Sequence, residues 1–153
     1  MFVTSVAPFW TFDFMSEIVD ALSTNPAAAL IVTPFVKLFT AVAANPSPQS
    51  IVADFTEATF VGYAGKAMTL PLVGPANAAP NVLMGHREVD WLAGAVVAPG
   101  EVILGYYVVD DNAAPTRVYL SELFQAPIPI INPGDEISLD VLWGFNMGVQ
   151  VAP

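Results

Sequence analysis

From Ile137 the chain reads ISLDVLWGFNMGVQVAP, and every second residue is apolar: Ile137, Leu139, Val141, Trp143, Phe145, Met147, Val149 and Val151. The residues between them are mostly small or polar. Such period-two alternation is the signature of a strand with one buried face. At roughly 3.3 Å per residue, a run of this length spans about 50 Å. A compact chain of 153 residues has a radius of gyration of about 15 Å, hence a diameter of roughly 40 Å. The run must therefore bend or leave its own subunit. In both cases Ile137 to about Trp143 forms an inner strand of the subunit's own sheet. Beyond it, Gly144 and Gly148 permit a kink or bulge. Alternatively, residues 144–153 form a C-terminal exchange strand added to a neighbour's sheet, with Phe145, Met147, Val149 and Val151 filling the neighbour's pockets.

Composition bears on that choice. Apolar residues make up 55% of the chain and charged ones only 12%, with a mean hydropathy of +0.60. That is about half the charge of an ordinary soluble domain, so part of the surface needs cover from a membrane or from other subunits. The most apolar stretch, AAALIVTPFVKLFTAVAA (27–44), carries Pro34 and Lys37 near its middle. A spanning helix wants about 20 predominantly apolar residues, and a central Lys costs about 2.5–3.5 kcal/mol on insertion scales. The N-terminal residues lack a basic region and reach Asp13 early, unlike a signal peptide. No membrane is expected as a partner; assembly is. The net charge is −10, and the only fixed cations, Lys37, Lys66, Arg87 and Arg117, are scattered. Nucleic-acid binding, which relies on clustered Lys and Arg, is not expected either. The chain has no Cys, which excludes disulfides and thiolate metal sites without identifying a compartment.

In DFMSEIVDALSTNP (13–26), Met15, Ile18, Val19 and Leu22 form one helical stripe. Asp13 caps its start and Asn25-Pro26 stops it. Residues 1–26 thus read as an N-terminal arm with a short helix, and Phe9, Trp10 and Phe12 are candidates for docking on a neighbour. Everything after it reads as β-structure in one domain spanning 1–153. ALIVTPFVKLFTAV (29–42) is rich in β-branched and aromatic residues, with Pro34 demanding an edge or bulge. VILGYYVV (102–109) lacks alternation, which marks a central strand buried on both faces. APIPIINPGDE (126–136) interrupts the strands, and within it Asn132-Pro133-Gly134-Asp135 fits a type II turn. Short strands between recurrent turns predict a mainly β fold, an antiparallel β-sandwich of jelly-roll type with a short N-terminal α-helix.

Convergent polar chemistry is scarce. His86 is the only histidine, and on a strand it shares a face with Glu88 and Asp90. A solvated strand face explains that run without a ligand. Glu88 and Asp90 are also the only carboxylate pair to consider for glycan cleavage. Asp110-Asp111-Asn112 lacks the spacing of a Ca²⁺ loop and fits a turn. No nucleotide-binding or nucleophile motif is present. No catalytic residue, metal site or cofactor is assigned, and the chain is not expected to be an enzyme. Trp91, Trp143, Tyr106, Tyr107 and Tyr119 sit in strand segments, where aromatics form core or, alternatively, a carbohydrate-stacking surface.

Four stretches, DFTEATFVGYAGKAMT (54–69), ILGYYVVDD (103–111), ELFQAPIPI (122–130) and NPGDEISLDV (132–141), together resemble a family of small virion-associated proteins of tailed bacteriophages and prophages. The match covers about the C-terminal two-thirds of the chain, and its motifs are strand and turn signatures. The resemblance implies a β-sandwich body and a place in the virion, and it carries over no catalytic residue. The family's last strand is expected to stop soon after Val141, whereas here WGFNMGVQVAP continues. The expected function is a capsid cement or decoration protein on the capsid surface, whose partners are the major capsid protein and itself, as dimer or trimer. The alternative is a tail, fibre or baseplate component that binds a carbohydrate receptor.

Overall fold

The structure, a computed structural model, describes residues 9–10, 34–68 and 82–146. Within them the chain is mainly β and forms two antiparallel sheets. The strands in chain order are β1 (Phe9–Trp10), β2 (Phe35–Val42), β3 (Phe55–Glu57), β4 (Lys66–Ala67), β5 (Val82–Leu92), β6 (Glu101–Val109), β7 (Val118–Ile130) and β8 (Glu136–Asn146). A single 3-10 turn, Val52–Asp54, leads into β3. The larger sheet runs β1-β7-β6-β2-β3, with β4 on the same side of β2 as β3; the smaller is β5-β8. The helix expected at 13–26 lies outside the described residues. Among the described residues no helix is long and apolar enough to cross a membrane.

Strand β6 lies between β7 and β2, as its lack of alternation predicts. Tyr106 and Val108 join a core cluster that also takes Val36 and Leu38 from β2 and Tyr119 and Leu120 from β7. The same cluster holds Val89 and Trp91 of β5 and Ile137, Leu139 and Val141 of β8, so side chains of both sheets share one core. On the other face of β6, Tyr107 and Val109 pack with Phe39, Phe55 and Val118. There the Phe55 and Tyr107 rings stack at 4.7 Å, and Phe39 lies 5.1 Å from Phe55.

Two irregularities shape the pairing of β6 with β7. Val108 faces Leu120 but Val109 faces Val118, so Tyr119 is an extra residue. This bulge turns Tyr119 and Leu120 into the same cluster. Further on, Gly105 faces Leu123 and Ile103 faces Ile128, so Leu104 alone stands against Phe124–Pro127. The strand then resumes through Pro127 and Pro129, both exposed. The prolines of APIPI were expected to interrupt the sheet. They are tolerated because they follow the bulge in a strand whose other side pairs, among the described residues, only with Phe9–Trp10. Pro34, by contrast, immediately precedes β2.

The terminal alternating run becomes β8, which at about 3.4 Å per residue is roughly 37 Å long. Its register against β5 is unbroken from Leu92↔Glu136 to Val82↔Asn146. The pairing passes Gly144, which faces Met84, without a register shift and ends at Asn146. Residues 147–153 lie outside the described residues.

Gly105 is where the large sheet is tightest. A Cβ there would sit 2.0 Å from the Glu122 carbonyl oxygen and 2.7 Å from the Phe39 ring. The first neighbour is backbone and the second is held by its aromatic partners, so neither yields easily. Gly105→Ala is expected to destabilise the fold by about 2–3 kcal/mol, the cost of overpacking a tight site. The midpoint of urea unfolding measures it.

Candidate assembly interface

Four of the five aromatic residues considered as a stacking platform are core. Trp91, Tyr106, Tyr107 and Tyr119 are all at most 4% exposed. Trp91 donates its indole N–H to the Ala64 carbonyl at 2.7 Å and stacks on Tyr63. Burial raises the Tyr106 phenol well above its ordinary range, helped by its hydrogen bond to Glu122. Carbohydrate binding therefore loses four of the rings named for it; the Trp143 side chain lies outside the described residues.

Glu88 and Asp90 are exposed on β5, while Val89 and Trp91 alternate inward. Across the ribbon they face Asp140 and Ser138. This is an open, solvated face, not the cleft that two hydrolytic carboxylates require. Among the described residues no three His, Cys, Asp or Glu side chains come together to hold a metal ion. His86 occupies β5 opposite Leu142.

The densest polar cluster is structural. Lys37, 3% exposed, donates to Glu57 Oε2 at 2.9 Å and to the Asn112 carbonyl at 2.8 Å. Tyr63 donates to Glu57 Oε1 at 3.0 Å and accepts the Leu38 N–H at 3.1 Å. Burial, with Glu57 adding to it, raises the Tyr63 phenol far above its usual range. These bonds tie β2 to β3, to the turn before β4 and to the turn after β6.

Carboxylates at the turns serve the chain in the same way. Asp111 accepts the N–H groups of Ala113 and Ala114. Asp110 accepts the Thr116 hydroxyl and the N–H groups of Thr116 and Arg117. At the far end of β7, Asp135 accepts the Ile131 and Asn132 N–H groups. The type II turn there is formed as expected: Asp135 N donates to Asn132 O at 3.1 Å, and Gly134 has φ +88°.

What remains for binding is backbone edge and exposed apolar surface. Of the interface candidates, Phe9 and Trp10 form β1 against Ser121 and Leu120. Phe145 stands in β8 opposite Leu83. Phe12, Met147, Val149 and Val151 lie outside the described residues. Among the described residues β5 and β8 pair only with each other, so each eleven-residue strand has one unpaired edge. Sequence inspection missed a second feature: Val61, Leu92, Val96, Val102 and Ile131 are large apolar residues left exposed. The signal was present in LAGAVVAPG (92–100), a turn region that is apolar where turns are usually polar. Compared with known proteins, the chain matches no family model and no curated protein.

Two outcomes follow from these polar groups. Removing Glu57 strands a buried ammonium, so Glu57→Ala is expected to cost about 2–3 kcal/mol. Lys37→Met removes the charge as well and should cost less; chemical denaturation of both variants compares them. For Asp110, partial burial opposes ionisation, but the Thr116 hydroxyl and the Thr116 and Arg117 N–H groups outweigh it and hold its carboxyl below the usual carboxylate range. The Asn132 and Ile131 N–H groups likewise lower Asp135. A depressed folded pKa gives stability that is present above the unfolded value and lost as pH falls through the folded one. Asp110→Asn should therefore flatten the loss of stability below about pH 4, as thermal unfolding across pH will show.

Proposed function

We propose that this chain is a structural component of a bacteriophage virion, a cement or decoration protein that binds the major capsid protein and clamps neighbouring subunits. Its body would be a jelly-roll-like sandwich, and its action binding alone, with no chemical step. The observation that carries the proposal is the contrast between the sheet edges. The outer edge of β7 holds Pro127 and Pro129, which lack N–H groups and discourage pairing. The edges of β5 and β8 contain no proline and, among the described residues, pair with nothing. An open edge of that length invites an added strand and is a hazard on a solitary monomer.

The low charge content supports the same function, because interface cores are depleted in charge. So does the resemblance of residues 54–141 to small proteins of tailed phages. A ligand that binds only the intact shell stabilises it, so the protein's contribution would be resistance of the capsid to heat and internal pressure. Dimers or trimers would share apolar surface between copies.

Mass spectrometry of density-banded virions of the encoding phage, scaled to the major capsid protein, tests the proposal. On the order of hundreds of copies per particle is expected, as a symmetric shell repeats its sites. About a dozen copies would assign the protein to the tail or a vertex instead, and its absence from virions would overturn the proposal.

A further inference from the structure

We draw no further inference here: the strongest candidate, the exposed acidic patch on the outward face of β5 and β8, where Glu88 stands opposite Asp140 with Asp90 next on the same face, is a group of carboxylates alone, and nothing in the structure points to what would bind it.

Discussion

A strand with apolar side chains on both faces must be covered on both, and β6 imposes that demand on the rest of the molecule. Its Tyr106 and Val108 need one layer and its Tyr107 and Val109 another. β5 and β8 contribute to the first, while Phe39, Phe55 and Val118 build an aromatic cluster on the second. Gly105 lets Phe39 lie against the strand where a side chain would block it. The bulge at Tyr119 keeps a large ring in the shared core without breaking the pairing around it.

Covering both faces also buries polar groups, most of which need a partner. Lys37 is buried as a consequence of its place between Val36 and Leu38 on β2. Its ammonium is stable there because Glu57 and the Asn112 carbonyl receive it. The Tyr106 hydroxyl, aimed into the shared core, donates to Glu122 at 2.6 Å. Lys37, Glu57 and Tyr63 spend their donors and acceptors on one another and on the backbone. Their contribution is to hold β2, β3 and the adjoining turns in one arrangement.

With polar groups committed inward or to turns, little charge is left to dress the exterior. The surface divides accordingly. Prolines occupy the outer edge of β7, Glu88 and Asp90 stand on the outward face of β5, and Val61, Leu92, Val96, Val102 and Ile131 are left exposed.

Local chain chemistry alone determined several features. Period-two alternation made β8 a strand, and unbroken hydrophobicity made β6 central. Pro133 and Gly134 set the type II turn through their own φ preferences. These depend on neighbours within a few residues. Other features rested on contacts distant in sequence and were decided only by the tertiary structure. Pairing with β5 carried the run in unbroken register past Gly144 to Asn146, because a continuous ladder outweighs the freedom of one glycine. A bulge let β7 continue past Gln125 through two prolines that read locally as a break. The tyrosines and Trp91, equally suited by composition to a surface platform, became core once the two sheets met. The meeting of the turns has the same origin: residues 60–63, 93–97 and 131–135 are far apart along the chain, and the hydrogen bonds between their backbones join them.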